Sequence, residues 1–488
     1  MKKLFGILSF IFIANSLFSQ DAKLINKAAL METVKLLSSK EFGGRLSGSE
    51  GYDKAATYMA DEFAKLNLKP FGDNGTYFQY FNTEYNNIVG PCKFSLVEGK
   101  EIKKDFLLGT DFSCRGFTGS GDVTAKIVFC GYGFSQPEND YDDYKNIDVK
   151  GKIVMIFKQT PTWKINNKDW NSSLRYRSEI AFNHGAVAVL FVSKPNDKKP
   201  QKPIGSVMDG EGKQIENLPQ LQIDISVADD ILSKSNNSLK SLQTKIDTTK
   251  KPLSVETNTT AHIIVNAKYE SAKKTENIIA LLEGSDPVLK NEYVIVTAHL
   301  DHIGTHANEV MYPGANDDAS GSAAVLELAR AFCSQKEKPK RSIIFMLYAC
   351  EETGLLGSKY FAEHPVVSLN NINSQINMDC IAFGDSIQIG NGKSVPELWK
   401  MIKEIDAAND KLSVKDTWNG GGADGTPLND KGIPMAYFVT KDSYGHLHLP
   451  SDKVETLNQN LYQSIVRLAY LATYKIAKGD YKREIVLK

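Results

Sequence analysis

Tyr293-Val294-Ile295-Val296-Thr297-Ala298-His299-Leu300-Asp301 is a β-branched, apolar run that ends on two residues able to bind a metal ion. Its apolar residues do not alternate with polar ones, so the run reads as a strand buried on both faces, the pattern of a parallel sheet. Two further runs share this form. Ser342 to Ala349 reads Ser-Ile-Ile-Phe-Met-Leu-Tyr-Ala and leads into Cys350-Glu351-Glu352, while Ile376-Asn377-Met378 leads into Asp379. In open α/β sheets, ligands bind in the crevice outside the carboxyl ends of the strands. His299, Glu351, Glu352 and Asp379 all fall there, and the fold class that follows is α/β, with a mixed, mostly parallel central sheet flanked by helices.

Asn316-Asp317-Asp318 and His446-Leu447-His448 add to the same inventory. Together the five stretches can supply two imidazoles, two aspartates and one glutamate, with a second glutamate left over. Nitrogen and oxygen ligands without thiolate suit zinc that keeps an open position for water, whereas four cysteines would close a structural site. The inventory matches two hydrolytic metal ions sharing one carboxylate, and the remaining glutamate can act as general base. An isolated acidic pair is ordinarily solvated surface. Asp317-Asp318 and Glu351-Glu352 differ because they stand at the mouths of expected strands, and adjacent glutamates can face a metal and its water only where regular structure has just ended.

Composition narrows the field. The 488 residues carry 58 basic and 58 acidic side chains, a balance that points to neither nucleic acid nor an anionic membrane. Lys2-Lys3 precede the apolar stretch Leu4 to Ile13, and small residues lead to Ser19-Gln20, so residues 1–19 read as a secretory signal peptide and the protein as exported, periplasmic or extracellular. No later segment is long and apolar enough to span a membrane. The six cysteines lack metal-type spacing and are too few for a disulfide scaffold. They read as buried thiols, with Cys350 and Cys380 turned from the cleft by strand alternation.

The length fits two domains. Within 20–120, the first part of the catalytic domain, Ala56, Met59, Phe63 and Leu66 recur at helical spacing between Ser49 and Asn67. Residues 121–258 change to short β-rich runs: Thr124 to Cys130, Ile153 to Phe157 and Val187 to Val192. Lys194 to Pro203 and the Ser-, Thr-, Asn- and Lys-rich stretch Ser233 to Thr260 read as solvated connections. From 259 to 488 strands alternate with helices, closing on a helix with Leu461, Ile465, Leu468 and Ala472 on one face.

Several pieces, in this order, carry a family resemblance: Gly44-Arg45, Gly131-Tyr132-Gly133, Asp148-Val149-Lys150-Gly151-Lys152, Glu276-Asn277-Ile278, Ala298-His299-Leu300-Asp301-His302, Gly314 to Gly321, Glu351 to Ser358, Met378-Asp379 and His448-Leu449-Pro450-Ser451-Asp452. The chain resembles the co-catalytic zinc aminopeptidases of metallopeptidase family 28 that carry a protease-associated (PA) domain insert. The resemblance implies the zinc-aminopeptidase/phosphorylase-hydrolase-like fold and two zinc ions per protomer. It gives His299 and Asp379 to one ion, Glu352 and His448 to the other, and Asp317 to both. Asp301 would orient the His299 imidazole and Glu351 would be the base. It also implies a cis peptide between Asp317 and Asp318, and it favours His448 over His446, because Pro450-Ser451-Asp452 follows in the family register. His302, His306, His184, His262 and His364 fall outside the ligand set. One departure stands out: the family often has Ser-Asp-His where this chain has Ala423-Asp424-Gly425. The substrates implied are peptides with a free amino terminus. A carboxypeptidase of the same fold, a one-zinc glutaminyl-cyclase-like acyltransferase and an inactive binding ectodomain are the alternatives, and the sequence names no partner for the insert.

Overall fold

The three apolar runs lie side by side. In the computed structural model, which describes residues 24–488, strands Tyr293–His299, Ser342–Tyr348 and Ile372–Met378 are parallel neighbours, with Tyr293–His299 in the middle. Met435–Thr440 continues the parallel set beyond Ile372–Met378, and the antiparallel Ile387–Gly390 closes that edge. The expected leader over residues 1–19 lies outside the described residues. Among the described residues, no helix is long and apolar enough to cross a membrane.

Both faces of this sheet are covered, which is why its strands lack polar alternation. Val294, Val296 and Ala298 point into one core with Ile343, Phe345 and Leu347, packed by helices Lys27–Leu37, Glu50–Lys65, Ala319–Cys333 and Gln459–Lys478. Ile295, Ile344 and Met346 point the other way, against Phe361 and Leu428. Helix Glu50–Lys65 starts where Ser49 accepts a hydrogen bond from the Tyr52 amide (3.2 Å), and buries Tyr52, Ala56, Met59 and Phe63. The structure is the expected mixed α/β fold with a mostly parallel central sheet and flanking helices.

A 29-residue strand, Ser254–Leu282, joins this body to a second one. Its last residues pair with Ser342–Tyr348, and its first half pairs with Gly121–Cys130. From there the sheet runs on through the parallel strands Ile153–Phe157, Ala188–Val192 and Gln220–Ile223 to the antiparallel Phe112–Cys114. The long strand Phe78–Glu98 accompanies it, with register shifts at Ile264/Asn266 and Glu270/Lys273. Such bulges bend a strand pair and increase its twist. The second body has its own two-sided core, with Ile127, Met155 and Leu190 on one face and Val128, Val154 and Val189 on the other.

One sequence expectation fails here. Residues 233–260 are not a solvated connection: they form helix Leu239–Thr249 and the start of the joining strand. Ser238 and Ser241 cap the helix reciprocally, and Leu239, Leu242 and Ile246 form a buried stripe at helical spacing. The polar composition had concealed a three-residue apolar face.

His306, in the hairpin of Gly304–His306 and Val310–Tyr312, is fully buried with its ring edge-on to Tyr312 at 5.0 Å. Burial, then the nearby charge of Arg115, depresses its imidazole from 6.5 to about 4. Between those values the unfolded chain takes up a proton that the folded chain refuses. Stability is therefore lost as pH falls through that window, by about 3 kcal/mol in all at about 1.4 kcal/mol per unit. His306→Gln removes this contribution. Urea unfolding of both proteins at pH 7 and pH 4.5 should show a smaller acid loss for the variant, and equal losses would contradict it.

Candidate metal centre

Each strand of the parallel set delivers its polar residue where regular structure breaks. Tyr293–His299 ends on His299 itself. Beyond Ser342–Tyr348, Cys350 takes a φ of 58°, and Glu351 and Glu352 follow it. Cys380 after Asp379, and His448, have φ values of 54°. Non-glycine residues persist in the left-handed region only where the surrounding structure holds them, and such residues tend to gather at functional sites. Three stand around this one crevice.

Asp317 and Asp318, joined by a cis peptide, face opposite ways. Asp318 caps helix Ala319–Cys333: its carboxylate accepts from the amides of Gly321 (2.8 Å), Cys380 (3.2 Å) and His299 (3.4 Å), tying three segments together. Only glycine fits at 321, because a Cβ there would stand 2.3 Å from Asp318 Oδ2 and from the Met378 carbonyl. Asp317 turns into the cleft. Its Oδ1 lies 3.3 Å from His299 Nε2 and its Oδ2 lies 3.3 Å from His448 Nε2. Asp379 Oδ1 is 3.8 Å from His299 Nε2, and Glu352 Oε2 is 2.8 Å from His448 Nε2. One carboxylate thus serves two nitrogen–oxygen groupings, one on each side.

This donor set fits metal ions. Ligand atoms of a tetrahedral zinc stand about 3.3 Å apart, given zinc–nitrogen distances near 2.0–2.1 Å. His299 Nε2 is buried with no hydrogen-bond partner, the state expected of a nitrogen reserved for an ion. Acidic and imidazole groups of His299, Asp318 and Asp379, and of His302, Asp317 and Glu352, lie within 4.8 Å of one another. Cys380 also comes within that distance of Asp317 and Asp379. Strand alternation does not turn it away, because the strand has ended at Met378. Burial, reinforced by Asp317 and Asp379, raises its thiol well above the ordinary value.

Supporting residues fix this geometry. Asp301 accepts from the amides of Glu351 (3.1 Å) and Glu352 (3.4 Å), and its carbonyl lies 3.1 Å from His299 Nδ1, nearer than its carboxylate at 3.6 Å. Asp452 accepts from the amides of Asn316 (2.9 Å) and Asp317 (3.0 Å). The fully buried Arg45 donates to the carbonyls of Leu37, Leu300, Pro313 and Gly314 at 2.6–3.0 Å, clamping the two ligand-bearing loops. His302, set aside on sequence, stands 2.8 Å from Glu352 Oε1 through Nδ1. Tyr437 donates to Asp379 Oδ2 at 3.2 Å. His446 instead meets Ser451 Oγ at 2.9 Å, with its ring edge-on to Phe383.

Charge crowding shapes the acids. Burial, offset in part by His299 but reinforced by Asp424, Asp379 and Glu352, pushes Glu351 well above the usual carboxylate range. Burial also pushes Asp424 up to about 7, with Asp301 and Asp379 adding to it against His299 and Ser358. For Glu352 burial is outweighed by His448 and His302, which hold it at about 2. Gly425, where the family often has histidine, faces Met435, whose side chain a Cβ would meet at 2.4 Å. Arg45, His302, Asp424, Tyr437 and Asp452 are the site residues that sequence reasoning did not assign. Three carried a signal, since Arg45, His302 and Asp452 stood within the matching pieces.

Asp452→Ala should leave two buried amides unpaired and free the Asp317 loop. We expect a loss of roughly 2–3 kcal/mol in unfolding free energy and a 10–100-fold weaker affinity for a divalent ion, read by denaturant unfolding and metal titration. Wild-type metal affinity would show that Asp452 does not position Asp317.

Over 465 residues, 92% of this chain and 85% of the relative, the chain is 25% identical to Aminopeptidase YwaD of Bacillus subtilis. A zinc aminopeptidase from Bacillus subtilis, BSAP, superposes with a TM-score of 0.64 at 21% identity, covering 95% of this chain and 98% of its own. A Peptidase M28 precursor from Shewanella amazonensis gives 0.66 at 20% identity, covering 98% and 99%. These two likenesses establish the fold. Residues 277–473, which hold His299, Asp317, Glu351, Glu352, Asp379 and His448, match the profile of Peptidase family M28, and the chain therefore carries a Peptidase family M28 domain.

Proposed function

We propose that this protein is an exported di-zinc aminopeptidase that removes residues one at a time from peptide amino termini. The observation that carries the reading is Asp317, whose two oxygens face His299 and His448 at 3.3 Å each, with Glu351 beside the pair. His299 and Asp379 would hold one ion, Glu352 and His448 the other, and Asp317 both. The zinc named for the Bacillus subtilis structure supports that choice of metal. When bound, the ions would polarise the scissile carbonyl and ease deprotonation of the attacking water.

The chain's own groups do the rest. Glu351 takes the proton from water on a carboxylate oxygen and passes it to the leaving amine. Its burial among Asp424, Asp379 and Glu352 raises its proton affinity, which suits a group that must hold a proton in mid-reaction. Asp301, bonded to the Glu351 and Glu352 amides, keeps both glutamates aimed at one crevice. Spare carboxylates there favour a free α-amino group, which, unlike an acylated one, can also approach zinc as a neutral ligand. Residues 121–258 we read as the PA insert, a lid or docking surface, and residues 1–19 as the leader that exports the protein.

Three measurements test this. The purified protein should hold two zinc ions per protomer and lose activity to a chelator; a single tightly bound ion at saturation would favour the cyclase alternative. Glu351→Gln should keep both ions while losing roughly 10²–10⁴-fold or more in kcat. Loss of metal in that variant would reverse the roles given to the two glutamates.

The third compares a peptide with a free amine against its acetylated twin at neutral pH. Release of the amino-terminal residue from the free peptide alone is expected. Equal cleavage of both, or release from the carboxyl end, would refute the aminopeptidase reading, and a metal-loaded protein inert towards both would point to a binding ectodomain.

A further inference from the structure

A cavity of about 520 Å³ is lined by Glu352 and His448 from the first body and by Arg115, Lys158, Gln201 and Ser206 from the second. That volume suits a ligand of dipeptide size. Arg115 follows strand Phe112–Cys114 and is 3% exposed; Lys158 follows strand Ile153–Phe157 and is partly buried. Their partners are poor matches for two cations. Lys158 Nζ donates to the neutral amide oxygens of Gln201 (2.5 Å) and Gln222 (2.9 Å). Arg115 Nη1 donates to the same Gln222 oxygen at 3.3 Å, its Nη2 is 3.7 Å from the carboxylate of the half-exposed Asp209, and its Nε is buried with no partner.

A guanidinium offers five N–H donors and an ammonium three, so both groups retain donors for a further acceptor. Buried charges are ordinarily paired, because desolvating an unpaired one is costly. Here two cations share one distant carboxylate, in the cavity that Glu352 and His448 also line. We infer that Arg115 and Lys158 form a seat for a carboxylate of the peptide substrate, making the second body a determinant of specificity. The inference rests on the aminopeptidase reading above. Burial and the charges of Arg115 and Arg177 hold Lys158 well below its usual value, and an arriving carboxylate would counter that push.

The carboxylate has two possible sources, the carboxyl terminus of a very short peptide or an acidic side chain, and matched pairs separate them. We would compare kcat/KM for Leu-Ala against Leu-Ala amide, Leu-Asp amide against Leu-Asn amide, and Asp-Ala amide against Asn-Ala amide. At least one pair should favour its carboxylate member by about tenfold or more, as charge-assisted hydrogen bonds allow. Arg115→Gln and Lys158→Gln should each bring that ratio towards one. Should Arg115→Gln fail to fold, Lys158→Gln and the wild-type ratios decide the matter. Turnover of all three pairs at ratios within about twofold would overturn the seat while leaving the aminopeptidase standing. If none of the six is cleaved, calorimetry with the Glu351→Gln protein decides: tighter binding of a carboxylate member than of its twin upholds the seat while the aminopeptidase reading fails, and equal binding overturns both.

Discussion

Everything around the crevice answers to one constraint: Asp301, Asp317, Asp318, Glu352, Asp379, Asp424 and Asp452 lie close together with little access to water. Removing one carboxylate from water without compensation costs several kcal/mol, and mutual repulsion adds to it. The fold distributes the compensation. Asp318 and Asp452 are satisfied by backbone amides, Asp301 by the amides of the glutamate turn, and Asp317 and Glu352 by imidazoles. Arg45 stands behind them as a fixed cation among carbonyls. In the proposed reading, metal ions supply the remaining positive charge, so centre and support are parts of one electrostatic arrangement.

Two adjacent acidic pairs show how this is achieved locally. In Asp317-Asp318, one carboxylate closes the end of a helix and binds the amides of two other segments, while its neighbour is released to the cleft. In Glu351-Glu352, both backbone amides are held by Asp301 from beyond the neighbouring strand, and His302 and His448 hold the Glu352 carboxylate, so both glutamates stand at the same crevice. Neither arrangement is available inside a regular strand, where neighbours point to opposite faces. This is why the strands end where they do, and why Cys350 and Cys380 occupy left-handed conformations beside the acids.

The parts of this design that are local in sequence were legible in advance. Strands buried on both faces write themselves as unbroken apolar runs, and their polar terminations pointed to His299, Glu351, Glu352 and Asp379. What depends on long-range juxtaposition was not legible. Tyr437 carries no pattern of its own, Asp424 was noticed only within the departure Ala423-Asp424-Gly425, and both meet the centre because their elements pack beside Ile372–Met378. His302 fell outside the implied ligand set, yet the turn after the strand brings it onto Glu352. Helix Leu239–Thr249 was hidden for a different reason: three apolar residues suffice to bury one face when the other is solvated, and composition averages that signal away.

The joining strand, Ser254–Leu282, carries the last consequence. It pairs with Ser342–Tyr348 at one end and Gly121–Cys130 at the other, so one continuous strand ties the second body to the sheet that presents Glu351 and Glu352. A surface hung on a flexible linker would sample many distances from the crevice. One anchored through a continuous hydrogen-bonded strand sets Arg115 and Lys158 in the cavity that Glu352 and His448 also line. Charged groups discriminate between ligands only when their positions are fixed before the ligand arrives. The same continuity that makes the sheet one structural unit therefore makes its far half suited to reading what the near half is proposed to cut.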